Sequence, residues 1–441
     1  MTKPVSAWLT RQPRLLFVLW AVAAAFMAYG CMYAFRRPFS VAEYKGIAAW
    51  GYDYKPLATV AQILGYTMSK FLGIKFVSEA KPGKRILAIA LLIGIAEGAL
   101  LLFAIIPHPW NLAAIFLNGL PLGMVWGLVF SFLEGRRVTE PLGLGLSISV
   151  IFSSGWVKSA GAWTMSVWGV GQFWMPFVTG ALFIPLLTLA LWMLAQLPPP
   201  DAEDIAARTL RVPMDKTARH KFLREHWLGI SLLVGAYVLL MTYRDLRDNF
   251  MVNILSENGV VATPSDFANI EDRVGLIVIL LLCGLVFFRS NRAALIAKGL
   301  LVSGGAVALG IATWMHSHGM MGARGWLITA GIGLYVGFIP FQSIFFDRVL
   351  ATVRTPATAV FLIALGDSYG YLSTISLYLI ETFKLLNLPW SVLLTDGSYV
   401  LAVLVPTCTM AGVVHFLRFR RQADEAAMSL PSVQPGTELG V

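Results

Sequence analysis

The sequence predicts an all-α polytopic membrane protein with twelve transmembrane helices in two pseudo-symmetric six-helix bundles. Of its 441 residues, 57% are hydrophobic and only 13% are charged, whereas about a quarter of the residues in soluble domains are charged. Long apolar segments recur along the chain, and a helix needs about 20 apolar residues to cross a bilayer. Because irregular backbone is excluded from lipid, the spans are expected to be helices.

Twelve segments are long and apolar enough to cross the membrane. The first six lie at 15–37, 57–77, 86–106, 112–133, 142–165 and 173–197, and the second six at 227–250, 272–288, 294–314, 326–347, 357–380 and 391–417. All three cysteines, Cys31, Cys283 and Cys408, fall inside these segments. They therefore indicate neither a disulfide framework nor a metal cluster, and no cofactor is expected. No catalytic constellation is visible outside the membrane, so the sequence does not predict an enzyme.

The basic residues predict the orientation of the chain. The net charge is +10, which would suggest nucleic acid as a partner of a soluble protein. When the lysines and arginines are sorted by predicted loop, most lie on the side that holds both termini, as the positive-inside rule requires. We therefore expect a multi-pass, monomeric cell-membrane protein with cytoplasmic termini, whose partners are the lipid bilayer and a small molecule rather than nucleic acid. The compact loops favour a bacterial inner membrane.

A polar stretch divides the chain into two halves. Residues 198–226 are charged and bounded by prolines, which predicts a cytoplasmic linker with a short amphipathic helix. The linker separates an N-terminal six-helix bundle at 1–197 from a C-terminal bundle at 227–417. A cytoplasmic tail is predicted at 418–441.

The two halves are weakly repeated. FRRPF at 35–39 resembles LRDNF at 246–250, and Gly155 aligns with Gly366 near the same offset of 211 residues. Parallel six-helix repeats related by an axis along the membrane normal are a known transporter plan, with the substrate site between the halves. Such an axis would place Arg36 and Arg247 at similar depths on opposite sides of a central cavity. Both helices are expected to run on past these arginines.

Several motifs in the first half resemble one transporter family. Tyr33-Ala-Phe-Arg36-Arg37-Pro-Phe39 resembles the Tyr-x-x-Arg-Lys-x-Phe pattern of the organophosphate:phosphate antiporters, which belong to the major facilitator superfamily. Tyr66-Thr-Met-Ser69-Lys70-Phe71 resembles the family's Tyr-Gly-Phe-Ser-Lys-Phe, and FLNGLPLGMVWG at 116–127 resembles its Asn-Gly…Gly-x-Gly-Trp stretch. The resemblance implies the major facilitator fold and the exchange of phosphorylated metabolites for phosphate.

The same resemblance implies that one arginine from the first helix and one from the seventh hold the phosphate. By motif Arg36 matches the first arginine, Arg247 matches the second approximately, and Arg244 competes with Arg247. The sequence departs from the family on the fifth helix, where Ser154 stands in place of a histidine and Lys158 follows one turn later. On the seventh helix, Asp245 and Asp248 could neutralise the neighbouring arginines.

Charged residues inside predicted spans are the candidates for a site. A Lys, Arg or Asp at a helix centre costs about 2.5–3.5 kcal/mol, so such residues usually line a pathway or form a pair. Alternatives stay open: Arg36 and Arg37 could snorkel to headgroups, Lys158 could form a structural ion pair, and Lys70 could anchor a helix end. The predicted substrate-binding residues are Arg36, Arg247, Lys158, Lys70, Tyr33 and Trp126, and the predicted coupling or ion-pair residues are Asp367, Asp248, Arg37 and Arg244.

Two buried acids carry further expectations. Asp367 in the eleventh span is expected to pair with Lys158 or to carry a proton. Glu97 in the third span is expected to lie outside the cavity as a protonated or locally hydrogen-bonded carboxyl group.

Together these features predict a secondary active transporter that works by alternating access on a small anionic solute, organophosphate or phosphate-like, bridged by Arg36 and Arg247. Two alternatives are a proton-coupled carrier of a non-phosphorylated solute and a non-transporting membrane sensor with the same fold.

Overall fold

The computed structural model describes residues 4–79, 82–133, 139–199, 216–287, 290–343, 345–353 and 359–428. Twelve long helices run through these residues, and each corresponds to one predicted span, so the twelve-helix prediction is confirmed. They are α1 (Arg14–Ala34), α2 (Tyr54–Glu79), α3 (Arg85–Ile105), α4 (Leu112–Phe130), α5 (Thr139–Trp168), α6 (Met175–Ala195), α7 (Lys216–Asn249), α8 (Pro264–Cys283), α9 (Asn291–Ser317), α10 (Ala323–Ser343), α11 (Ala359–Thr382) and α12 (Trp390–Met428).

Short elements connect the long helices. Two two-residue strands, β1 (Ala48–Ala49) and β2 (Tyr52–Asp53), pair antiparallel in the α1–α2 connection, with Ala48 opposite Asp53. The short α-helices are Pro4–Leu9, Met251–Glu257 and Phe345–Val353, and the 3-10 helices are Pro38–Val41, Pro82–Lys84 and Gly284–Phe287.

The twelve helices form two bundles of six. In the first bundle α1 packs on α5 and α6, α3 packs on α4 and α6, and α2 packs on α4. In the second bundle α7 packs on α11 and α12, α9 packs on α10 and α12, and α8 packs on α10. The bundles meet mainly where α5 packs on α8 and α2 packs on α11. The predicted two-bundle architecture is therefore confirmed.

The helices of this interface carry buried charged residues among their apolar ones. Among the described residues, eight helices are long and apolar enough to be candidate membrane spans. The four long helices outside that group are α2, α5, α8 and α11, which are the helices that join the two bundles. A helix that faces another bundle can carry polar and small residues because protein, rather than lipid, surrounds it. The buried Lys158, Glu271 and Asp367 of these helices fit that position.

Close packing at the interface depends on Gly155 of α5. A Cβ atom at this position would lie 2.7 Å from the backbone oxygen of Phe267 and 2.8 Å from the Cβ of Glu271, both in α8. Small residues of this kind allow helix backbones to approach closely in membranes. The approach brings the buried Glu271 to the boundary between the two halves.

The chain leaves the helical path before Arg36. The helix α1 ends at Ala34, and a 3-10 helix begins at Pro38. The expectation that the first helix continues past Arg36 and Arg37 is therefore wrong, because Pro38 has no N–H with which to continue the helical ladder. Arg247, by contrast, lies inside the last turn of α7.

The predicted domain boundaries stay predictions. The helix α7 begins at Lys216 and breaks at His226 (φ −118°, ψ 18°), next to the predicted start of the second bundle at 227. The helix α12 continues to Met428, into the segment predicted as a tail. Most of the predicted linker, at 200–215, and the final segment, at 429–441, lie outside the described residues.

Candidate substrate site

A cluster of buried charges joins α1, α5 and α7 at the predicted outer end of the helices. Arg37 follows the end of α1, and its Nη2 lies 3.0 Å from Oδ2 of Asp248 and 3.5 Å from Oδ1 of Asp245. Its Nη1 donates a hydrogen bond of 2.6 Å to Oδ1 of Asn249. Since Arg37 belongs to the first half and its three partners to the second, the arginine links the two bundles.

Asp248 also binds two residues of α5. The Nζ of Lys158 forms an ion pair with the Asp248 carboxylate and donates a hydrogen bond of 2.5 Å to its backbone oxygen. The Oγ of Ser154 donates to the same carboxylate at 2.7 Å. The two α5 positions at which the sequence departs from the antiporter pattern thus both hold Asp248, so Lys158 serves as an inter-bundle ion-pair residue.

Arg36 differs from its neighbour Arg37. Its side chain is buried, with the residue 4% exposed, and its Cζ lies 3.8 Å from the ring centroid of Tyr66. Among the described residues the guanidinium forms no ion pair, and its Nε has no hydrogen-bond partner. Buried charges are normally paired, because an isolated ion is costly to remove from water. Arg36 is therefore a cation that a bound anion would stabilise.

Arg244 of α7 brings a second guanidinium to the same aromatic surroundings. Its Nη2 donates a hydrogen bond of 2.8 Å to Oδ1 of Asp245, and its Cζ lies 4.4 Å from the centroid of Phe338. Tyr33 and Tyr371 lie within electrostatic range of both Arg36 and Arg244. The predicted Tyr33 therefore lies near the two arginines, one from each half.

This cluster carries more positive than negative charge. Its four cations are Arg36, Arg37, Lys158 and Arg244, and its two described carboxylates are Asp245 and Asp248. Two positive charges are therefore left without a carboxylate among the described residues. In surroundings of low dielectric such an excess favours anions strongly.

Arg247 is bound within the second half. It is fully buried, and its Nη1 donates to Oε1 of Glu271 at 2.7 Å, while Nε and Nη2 both donate to the backbone oxygen of Leu327, at 3.3 and 3.0 Å. All three of its nitrogens thus have protein partners, which leaves little capacity for a ligand. Arg244, the arginine that competed with Arg247 by motif, is instead the one that shares the surroundings of Tyr33 and Tyr371 with Arg36.

A second inter-bundle ion pair lies toward the predicted inner end. Lys70 of α2 pairs with Asp367 of α11, and the hydroxyl of Tyr237 donates a 2.6 Å hydrogen bond to the same carboxylate. The expected pair of Asp367 with Lys158 is wrong, because α11 packs on α2 while α5 packs on α8 and α10. Asp367 thus forms an ion pair, but its partner is Lys70 and not Lys158.

Trp126 of α4 was predicted near the cavity. Its ring stacks on Phe130 of the same helix, with centroids 5.0 Å apart. The ring is partly buried and packs against the hydrophobic core, and among the described residues it forms no hydrogen bond or ring contact with the charged cluster.

Two buried residues at the boundary between the bundles, Glu271 and Asn249, were missed from the sequence. Glu271 was missed because the eighth span was predicted to begin at 272, whereas α8 begins at Pro264 behind a capping box formed by Thr263 and Asp266. This Thr-Pro-Ser-Asp signal is a known helix start and would have moved the boundary. Asn249 gave no comparable signal.

Comparisons with known proteins agree on the fold. Residues 38–419 match the model of a family of unknown function, DUF5690. No curated protein matches the chain. Among solved structures, a D-xylose-proton symporter is similar at 12% sequence identity and a TM-score of 0.57, over 91% of this chain and 97% of that one. An aspartate-to-alanine mutant of the nucleoside transporter NupG is similar at 15% identity and a TM-score of 0.59, over 90% of this chain and 99% of that one.

At these identities the likeness establishes the fold. The chain has a fold of the major facilitator type, as the sequence predicted, and it is a multi-pass membrane protein.

Proposed function

Because the chain belongs to the DUF5690 family, whose function is unknown, its activity is inferred from its own site, and we propose that it is a secondary transporter of a small anionic solute. One observation carries the proposal: Arg36 is buried at the boundary of the two bundles, stacked on Tyr66, without a carboxylate partner among the described residues. An anion that enters between the halves would find this guanidinium unoccupied.

The chemistry of the cluster favours a phosphate group. A guanidinium presents planar, parallel N–H donors that match phosphate oxygens. A phosphate monoester carries about −1.5 to −2 charges at pH 7, which matches the two positive charges left over in the cluster. The motif resemblance to organophosphate:phosphate antiporters points to the same class of solute.

The inter-bundle ion pairs support alternating access. Arg37 joins the halves at the predicted outer end, and Lys70 joins them toward the predicted inner end. A transporter that rocks one bundle against the other must break one set of contacts while the other holds. A substrate that binds Arg36 and Arg244 together would reduce the charge excess between the bundles and favour their closure around it.

A second candidate is a proton-coupled carrier of a non-phosphorylated solute. It is favoured by the two similar structures, which are named for a sugar-proton symporter and a nucleoside transporter. The aromatic side chains Tyr66 and Tyr371, whose ring centroids are 5.5 Å apart, would suit a sugar or base ring. In this case Arg36 would hold Tyr66 in place rather than bind the solute.

Transport into proteoliposomes decides between the two candidates. Vesicles preloaded with unlabelled phosphate or a phosphate monoester are tested for uptake of labelled inorganic phosphate, a labelled pentose and a labelled nucleoside. The anion proposal expects phosphate uptake that Arg36→Ala and Arg244→Ala reduce at least tenfold. Uptake of only the neutral solutes supports the second candidate and overturns the first.

Arg324→Ala is the matched control. Arg324 is about half-exposed and pairs with Asp266 at the start of α8, and among the described residues it forms no ion pair or hydrogen bond with the cluster. Its removal also deletes one positive charge. Because Arg324 does not contact the cluster, phosphate uptake should stay unchanged. If it reduced uptake as much as Arg36→Ala, the effect of Arg36 would be one of general charge and not of a site.

A further inference from the structure

One buried acid has no part in the ion-pair clusters. Glu97 lies near the middle of α3, and both of its carboxyl oxygens are buried without a hydrogen-bond partner among the described residues. The side chain packs against Gly180 of α6, where an added methyl group would overlap the carboxyl group, and Phe35 borders the same space. The carboxyl thus occupies a slot that only a glycine leaves open.

Among the described residues, the groups that border Glu97 are uncharged. The helix α6 contributes Gly180 and the end of α1 contributes the ring of Phe35. The helix α4 contributes the amide of Asn118, which donates to the backbone oxygen of Ala96, the residue before Glu97. The Arg36 guanidinium, one residue beyond Phe35, stacks on Tyr66 of α2 and forms no ion pair with Glu97. An ionised carboxylate in such surroundings, without a partner, is strongly disfavoured, so the group is neutral and holds a proton in this conformation.

The same region is bonded to the backbone of the proposed site. Asn118 Nδ2 donates to the backbone oxygens of Phe35 and Ala96, at 2.9 and 3.0 Å. Gln62 Nε2 donates to Asn118 Oδ1 and to the backbone oxygen of Arg36, both at 2.9 Å. These amides thus connect the backbone of α3 next to Glu97 with the turn that carries Arg36.

We propose that Glu97 is a proton-binding site that couples transport to the proton gradient. In the described conformation its carboxyl group holds one proton. When the helices of the first bundle shift around the slot during transport and water reaches it, the O–H bond breaks, the proton leaves to that water, and the carboxylate takes up a proton again before the slot closes. The inference rests on the proposed transport function, but the protonation of Glu97 is measurable without any substrate.

The first experiment is infrared spectroscopy of the purified, full-length protein in liposomes. The wild type should show a protonated-carboxyl band that is lost in Glu97→Gln, shifts in D₂O and titrates with pH. Glu43→Gln, which removes a carboxyl group paired with Lys45 outside the slot, should leave the band intact. A band that neither exchanges in D₂O nor titrates would make Glu97 a permanently protonated packing group and overturn the proposal. Should Glu97→Gln fail to fold, Glu97→Asp shifts the band and assigns it.

The second experiment separates coupling from transport. Labelled inorganic phosphate is measured in two modes, as accumulation driven by an imposed pH gradient and as exchange at equal pH. Glu97→Gln should lose the gradient-driven accumulation and keep exchange within about twofold of wild type. Accumulation at the wild-type level, or loss of exchange together with accumulation, contradicts the proposal. If the wild type carries no phosphate in either mode, the phosphate substrate fails, and the infrared result still decides the role of Glu97.

Discussion

Arg37 and Asp248 occupy equivalent positions in the two halves of the chain, and they form an ion pair with each other at 3.0 Å. They are separated by the same offset that relates FRRPF to LRDNF. Lys45 and Ser256, which lie 211 positions apart, also meet, with Lys45 Nζ donating to Ser256 Oγ at 3.3 Å. Residues related by a two-fold axis contact each other only when they lie beside that axis. These contacts therefore place the axis between the ends of α1 and α7.

Replacing Asp248 should destabilise the folded protein, because it removes ion pairs that join the two bundles. Asp248→Asn leaves Arg37 and Lys158 buried with one less counter-charge, and breaking a buried ion pair by removing one partner costs about 3–5 kcal/mol. Thermal unfolding of the purified protein in detergent should show a clearly lower melting temperature. Glu43→Gln, which breaks a partly exposed pair with Lys45, is the control and should change the melting temperature little. Equal melting temperatures for Asp248→Asn and wild type would contradict a structural role for the cluster.

Arg247 and Arg244 should differ in what their loss affects. Glu271→Gln removes the charge partner of Arg247 and should lower the melting temperature while the affinity for anions stays near that of wild type, because Arg247 is held by protein groups on all sides. Arg244→Gln should instead weaken anion binding. Parallel measurement of unfolding and phosphate affinity checks both variants. A drop in affinity with Glu271→Gln as large as with Arg244→Gln would restore Arg247 to the site.

Much of this molecule follows from the sequence, and the exceptions have physical causes. Hydropathy and the charge bias predicted twelve helices, since the bilayer sets helix length. The motif pointed to Arg36, which has no ion pair among the described residues, and the repeat pointed to Arg247, which is paired with Glu271. A repeat predicts that two residues occupy equivalent positions, but it does not predict that their surroundings are alike. Glu271 of α8, which binds Arg247 of α7, has no equivalent residue in the first half of the chain that the repeat could have revealed. The ion pairs depend on which helices are in contact, and the positions of the predicted spans along the sequence do not reveal these contacts.

The pair of Lys70 and Asp367 should tolerate exchange of its charges. Lys70→Asp alone places two carboxylates together between α2 and α11, and Asp367→Lys alone places two ammonium groups there. Each single variant should lose most phosphate uptake, because like charges in contact oppose closure of this end. The double variant should recover a substantial fraction. No recovery in a correctly folded double variant would mean that the two residues act separately.

Gly155 should be sensitive to the addition of a single methyl group. In Gly155→Ala the new Cβ would approach the Phe267 backbone oxygen to 2.7 Å, so α5 and α8 must separate. Overpacking of this kind costs about 1–3 kcal/mol. Thermal unfolding should show a lower melting temperature than for Gly235→Ala, whose added Cβ meets nothing within 4 Å. Equal melting temperatures for the two variants would show that the helices are not in close contact there.

The most direct test of the central claim is anion binding by Arg36 at equilibrium. The melting temperature of the purified protein is measured against rising concentrations of phosphate and a phosphate monoester, since a ligand that binds only the folded state raises it. The wild type and Arg324→Gln should be stabilised alike. Arg36→Gln should need about ten- to a hundredfold more anion, because hydrogen bonds to a charged group contribute about 1.5–3 kcal/mol. Equal stabilisation of Arg36→Gln and wild type, or stabilisation of the wild type by neutral sugars and nucleosides alone, would contradict the account.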